Sequence, residues 1–129
     1  MDVSIVSPEA NMWEGEADLV IARSPEGEFG IMRGHIPFLA ALVPGKVTVV
    51  SGDARDVFFV PGGFLESSGS PDDYHVIVLA DDAELADELD ASRARELLEE
   101  ARRKRDERDD DSAEAELRVA MVRVDLAEN

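Results

Sequence analysis

The chain has 129 residues, 44% of them hydrophobic and 33% charged, with no cysteine and a formal net charge of -17 at pH 7. That length holds one ordinary core, or a small core with an appendage, and the composition is that of a folded chain. The charge argues against nucleic acid, whose binding needs lysine and arginine to displace condensed counterions, and against an anionic membrane surface. Lack of cysteine removes disulfides, thiolate nucleophiles and cysteine-ligated metals. The longest apolar run, residues 38–43, is far too short for a membrane span, and no basic or signal-type segment opens the chain. The expectation is a cytoplasmic protein with no direct membrane insertion.

Val3 and Ile5 alternate with Asp2, Ser4 and Ser7, a half-buried first strand that stops at Ser7-Pro8. Met12 and Trp13 lead into Gly15, with Trp13 suited to the core, and residues 19–22 form a short apolar run closed by Ser24-Pro25-Glu26-Gly27. Residues 27–45 then carry four glycines, two prolines and one of the two histidines, a pattern that predicts a glycine-hinged bend. Inside that stretch, residues 38–42 fit a strand or a brief helical turn, and periodicity does not decide at that length. From Lys46 onward, runs around Val47-Thr48-Val49-Val50, Val57-Phe58-Phe59-Val60, Phe64-Leu65 and Val76-Ile77-Val78-Leu79 are separated by turn residues every eight to twelve positions. Such spacing reads as an antiparallel sandwich or barrel.

After Ala80, glycine and β-branched residues give way to alanine, leucine, glutamate and arginine, which is helix composition. Residues 1–82 are therefore expected to form a β-sandwich domain and residues 83–129 a two-helix C-terminal domain, an α+β chain. Asp90 is placed to cap a helix running through Arg108, with Ala94, Leu97, Leu98 and Ala101 as its apolar stripe. Glu99 with Arg103 and Glu100 with Lys104 have the favourable i,i+4 order. Ser112 is placed to cap a second helix, in which Leu117, Ala120, Met121 and Val124 recur at helical spacing, completing an antiparallel hairpin. So few large apolar side chains scarcely offset the entropy of ordering the hairpin, which is expected to be held weakly and to be displaceable.

Reactive chemistry is largely missing. The glycines lack the lysine of a phosphate-binding loop and the spacing of a dinucleotide fingerprint. The acidic run from Asp106 to Glu116 lacks the central glycine of a calcium loop, and neither His35 nor His75 has a second histidine or a cysteine at ligand spacing, so no metal is expected. Ser67 and Ser68 lack the elbow sequence of a serine hydrolase. No catalytic residue is expected, and a hydrolase ranks third among the readings. His35 fits two roles, a hydrogen bond to a carbonyl within the glycine loop or a contact to a partner.

Five motifs stand in order along the chain: Gly27 to Pro37, Leu42-Val43-Pro44-Gly45, Gly62-Gly63-Phe64-Leu65-Glu66, Val78-Leu79-Ala80-Asp81 and Leu89-Asp90-Ala91-Ser92-Arg93-Ala94. Together they resemble the epsilon subunit of the bacterial F-type rotary ATP synthase. The resemblance implies a ten-stranded β-sandwich that binds the rotor, touching the gamma subunit and the c-ring, and a C-terminal regulatory hairpin. It implies a non-catalytic subunit at the cytoplasmic face of the cell membrane that couples proton-driven rotation to ATP synthesis and restrains ATP hydrolysis through its helices.

By position, Ser7, Glu28, Phe29, Arg33, His35 and Pro37 correspond to the c-ring and gamma interface. Arg102, Arg103, Arg105 and Arg108 would suit the catalytic beta subunit of the alpha/beta head. Some relatives bind ATP through Asp-x-x-Arg-Ala and further arginines. Here Asp90, Arg93 and Arg123 match, but Val119 and Glu100 stand where two more cations are expected, so ATP as a regulatory ligand is expected to bind weakly or not at all. No other cofactor is implied. The competing reading is a free-standing sandwich binding module with a helical dimerisation tail.

Overall fold

Short runs of β-branched and aromatic residues settle as strands because one face of each run can be buried while the other stays wet. The computed structural model describes residues 1–128. Its strands are β1 (Asp2–Val6), β2 (Asn11–Glu16), β3 (Leu19–Ser24), β4 (Gly27–Met32), β5 (Phe38–Leu42), β6 (Gly45–Ser51), β7 (Ala54–Val60), β8 (Gly63–Ser70), β9 (Asp73–Ala80) and β10 (Glu84–Leu85). They form two five-stranded sheets, in the orders β2-β1-β9-β8-β5 and β10-β7-β6-β3-β4. Neighbours run antiparallel except β1 beside β9, which are parallel. The sheets share one core, to which the first contributes Val3, Ile5, Leu65, Val76 and Val78 and the second Val20, Val47, Val49 and Phe58. Alternation is plainest in β9, where Tyr74, Val76, Val78 and Ala80 are buried while Asp73, His75 and Leu79 are exposed. The expected sandwich followed by a helical hairpin is the observed architecture.

Residues 27–45 depart from the bend their glycines suggest, because most of the stretch is strand. β4 pairs with β3 in unbroken register from Leu19 opposite Met32 to Ser24 opposite Gly27. That ladder holds the backbone extended against glycine's local preference, an override of propensity by tertiary pairing. Residues 38–42, open between strand and helix, are β5, paired along β8. Gly63 has a different reason to be glycine. Its φ is +137°, and a Cβ there would lie 2.1 Å from the Leu79 carbonyl oxygen, so only a bare backbone fits beside β9.

The chain divides into two compact units after Leu85, three residues later than the change in composition places it. The extra residues go with the strands because Glu84 and Leu85 pair with Phe59 and Phe58 of β7.

In the second unit a 3-10 turn (Ala86–Glu88) precedes α1 (Ala91–Glu107) and α2 (Asp111–Glu128). Asp90 caps α1 as expected, its Oδ1 accepting from the Ser92 and Arg93 amides at 2.9 and 3.2 Å. The cap of α2 is Asp110, which accepts from the Ala113 amide at 2.8 Å, and not Ser112. Asp110 has the advantage because α2 begins at Asp111, two residues earlier than a Ser112 cap would allow. Buried residues of the hairpin are mostly small: Ala94 and Ala101 on α1, and Ala113, Leu117 and Ala120 on α2. Met121, expected in the seam, is exposed. Alanines on both helices allow the backbones to approach closely, and a methionine between them would hold them apart. The expected i,i+4 pairs are also replaced: Glu99 pairs with Arg102, and Lys104 crosses to Glu116 on the other helix.

Candidate functional site

Five residues, 33–37, carry the chain from β4, at the edge of one sheet, to β5, at the edge of the other. Gly34 makes the corner at φ +88°, a conformation that disfavours any side chain, and the His35 amide closes it by donating to the Met32 carbonyl at 3.1 Å. The ring of Phe38 is met edge-on by Phe29 and by His35, with centroids 5.3 and 5.5 Å away. His35 Nδ1 lies 2.8 Å from the Ile36 carbonyl oxygen, and since a carbonyl only accepts, Nδ1 carries a proton. The structural role considered for His35 is therefore present, while the half-buried ring stays at the surface. Arg33 and Pro37 are exposed, and the side chain of Ile36 is 73% exposed at the tip.

The outer face of the adjoining sheet is graded along its strands. Register sets Ala41, Phe64, Leu79 and Val6 in one row, Leu39, Glu66, Ile77, Ser4 and Glu14 in the next, and Ser68, His75, Asp2 and Glu16 in a third. The face thus passes from apolar to acidic. Leu39, Phe64 and Leu79 are all more than half exposed, on a side where water should meet polar groups. A groove of about 560 Å³ runs over the acidic rows, lined by Glu14, Glu16, Glu66 and His75 among others. Asp2 and Asp73 flank His75 at 3.5 and 3.1 Å, and among the described residues these three form a cluster compact enough to hold an ion. All three are exposed and already paired with one another, as on any solvated sheet face.

Of the residues assigned to the rotor interface, the structure gathers Phe29, Arg33, His35 and Pro37 at this corner. Glu28 is exposed on β4, opposite Arg23. Ser7 is elsewhere. It follows Val6, which aligns with Leu79, whereas Phe38 aligns with Ser67 and Val76 towards the other end of the sheet. Ser7 is buried in its own turn, bonding Ala10 through backbone and hydroxyl. Sequence reasoning passed over Ile36, Leu39, Phe64 and Leu79. The signal was available: Leu65 and Val78 face inward, so by strand parity their apolar neighbours Phe64 and Leu79 must face out.

In the hairpin, the carboxylate of Asp90 is committed to the helix cap, and Arg93 pairs with Glu96 at 3.1 Å. Arg95 joins Glu128 at 2.9 Å, so the start of α1 lies beside the end of α2. The Lys104–Glu116 and Arg105–Glu114 pairs bring Glu100 level with Val119 along the hairpin, an anion and a neutral side chain at the same height. Arg102, Arg103, Arg105 and Arg108 are exposed on the last turns of α1 and beyond it, with Arg108 at the C-cap. Among the described residues no helix is long and apolar enough to cross a membrane.

Residues 1–86 match the family described as ATP synthase, Delta/Epsilon chain, beta-sandwich domain. The chain is 39% identical over 124 residues to the ATP synthase epsilon chain of Streptomyces avermitilis, covering 95% of this chain and 97% of that one. It belongs to the ATP synthase epsilon chain family. The epsilon chain of Thermobifida fusca is 46% identical over 106 residues, 78% of this chain and 74% of that one. In solved structures, the fold is similar to a chain of the Euglena gracilis mitochondrial ATP synthase, with a TM-score of 0.80 at 22% identity over 98% of this chain and 80% of that chain. As a member of the epsilon family it is a non-catalytic central-stalk subunit that couples rotation within ATP synthase, a peripheral component of a membrane complex.

Proposed function

We propose that the sandwich of residues 1–82 is the rotor-binding domain, and that it docks on the gamma subunit and c-ring through the corner at residues 33–37 and the apolar row of the neighbouring sheet face. The observation that carries this is where the large exposed apolar side chains lie: Met32 and Ile36 at the corner, Leu39 just inside β5, and Phe64 and Leu79 further along the same sheet face, in the row that ends at Val6. Leaving such surface in water is unfavourable by about 25 cal/mol per Å², and a partner that covers it recovers that free energy. Glu28, Phe29, Arg33, His35 and Pro37 belong to this docking edge; Ser7 does not support it from its buried turn. The test is co-purification of Ile36→Asp and Phe64→Asp variants with the detergent-extracted ATP synthase, with ATP synthesis measured in membrane vesicles. Both substitutions should lower retention and synthesis together, and a normal yield of coupled complex from both would refute the docking edge.

The helical domain, residues 83–129 by composition, is the regulatory part. Arg102, Arg103, Arg105 and Arg108 would meet acidic surface of the alpha/beta head, since all four are exposed and the ion pairs of Arg102 and Arg105 exchange at little cost. ATP binds weakly or not at all, because Asp90 is engaged as a cap and Glu100 with Val119 replaces two cations. The complex sits on the cytoplasmic face of the cell membrane. Removing residues 86–129, which leaves β10 in the sandwich, should raise ATP hydrolysis by the assembled complex; unchanged hydrolysis would confine the subunit to coupling. Family membership sets aside the free-standing binding module with a dimerisation tail.

A further inference from the structure

Beneath the 33–37 corner stand two hydroxyl groups that the docking surface itself does not use. Ser67 of β8 and Tyr74 of β9 both face the interior, 1% and 3% exposed. Their oxygens are 3.0 Å apart, and the Tyr74 hydroxyl reaches the Ile36 carbonyl oxygen at 3.3 Å. A phenol carries a single proton, so both contacts are used only when Ser67 donates to Tyr74 and Tyr74 donates to Ile36. The same Ile36 oxygen accepts from His35 Nδ1 at 2.8 Å. It is thus held from the interior and from the loop, while its own side chain points to solvent.

Packing alone does not call for this pair. Alanine and phenylalanine would fill nearly the same space without two buried hydroxyls, each of which is unfavourable in an apolar interior unless bonded. What the hydroxyls add is direction, because hydrogen bonds fix one position of the Ile36 peptide where dispersion contacts tolerate several. We infer that Tyr74 and Ser67 are positioning residues, a hydroxyl relay that locks the Ile36 carbonyl from within and so presents His35 and Ile36 to the rotor in a single conformation. This rests on the reading of the 33–37 corner as a docking edge.

The experiment uses the full chain carrying Tyr74→Phe, Ser67→Ala, or both, with Ile36→Asp as the control for docking. Three quantities are read: thermal midpoint, amide exchange at residues 33–38 against that of Val76 and Val78, and affinity for ATP synthase depleted of this subunit. Tyr74→Phe should speed exchange at the corner and weaken binding about three- to tenfold, the range of one net hydrogen bond. Exchange at Val76 and Val78 should not change. Ser67→Ala should act in the same direction, and the double variant should bind no worse than Tyr74→Phe, because Ser67 works through Tyr74. If Tyr74→Phe lowers the midpoint steeply, Ser67→Ala alone decides, since it removes a single oxygen from a well-filled site. Unchanged corner exchange overturns the relay, and so does unchanged affinity in a background where Ile36→Asp weakens binding; both leave the docking edge standing. Undiminished binding by Ile36→Asp overturns the docking edge, and the relay with it.

Discussion

The sandwich and the hairpin are held together by different means. In the sandwich, Phe58, Ile5, Ile31, Leu65 and a set of valines are under 3% exposed and interlock between two sheets whose registers are fixed along whole strands. In the hairpin the buried residues are Ala94, Ala101, Ala113, Leu117 and Ala120, with Leu98 packed against the central cluster, and exposed ion pairs add further links between the helices. Burial stabilises roughly in proportion to apolar area, and exposed ion pairs contribute about 0–1 kcal/mol each. One unit is therefore built to stay as it is, and the other to open at small cost. Coupling rotation calls for the first property, and the regulatory role proposed for the helices calls for the second.

Four substitutions break or sharpen this contrast, from the largest expected effect downward. Gly63→Ala drives a methyl group into the Leu79 carbonyl. It should destabilise the sandwich by about 3 kcal/mol or more, seen as a large drop in the denaturation midpoint of the β signal. Leu117→Ala removes the main apolar contact of the hairpin and should cost about 2–4 kcal/mol there. Circular dichroism should show reduced helix while exchange at Val76 and Val78 is unaltered; loosening of both units together would mean that they unfold as one.

Asp56→Ala deletes the acceptor of the Trp13 indole N–H, 2.9 Å away, which ties β2 of one sheet to β7 of the other. The loss should be about 1–2 kcal/mol, with a shift in the fluorescence of the chain's single tryptophan. Asp90→Ala, which strips the α1 cap, should cost about 1 kcal/mol and fray only the first turn, as read by exchange at Ser92 and Arg93.

Legibility followed the same divide between local and distant causes. The strands around residues 47–50, 57–60 and 76–79 were readable because one-face burial imposes a period of two on the sequence itself. Asp90 as a cap was readable because its partners, Ser92 and Arg93, lie within the same turn. Residues 27–45 were misread as mostly bend because what straightens them is a ladder with β3, and Met121 was placed in the seam because helical spacing alone does not say which face meets α1. At the candidate site, the corner and His35 were legible from Gly34 and Pro37. Ser7 was not separable from that corner without the sheet order, and the Tyr74–Ser67–Ile36 connection joins residues 7 and 38 positions apart.

By itself, the sequence determined two successive compositions, one alternating and one helical, the turns between strands, and a family signature in five ordered motifs. Those follow from backbone sterics and side-chain preference over a few residues. Tertiary structure alone decided which strands became neighbours, which apolar side chains were left outside, and that a tyrosine from β9 would hold the peptide of Ile36. Such outcomes depend on register and on contacts between distant segments, and local preference carries no record of either.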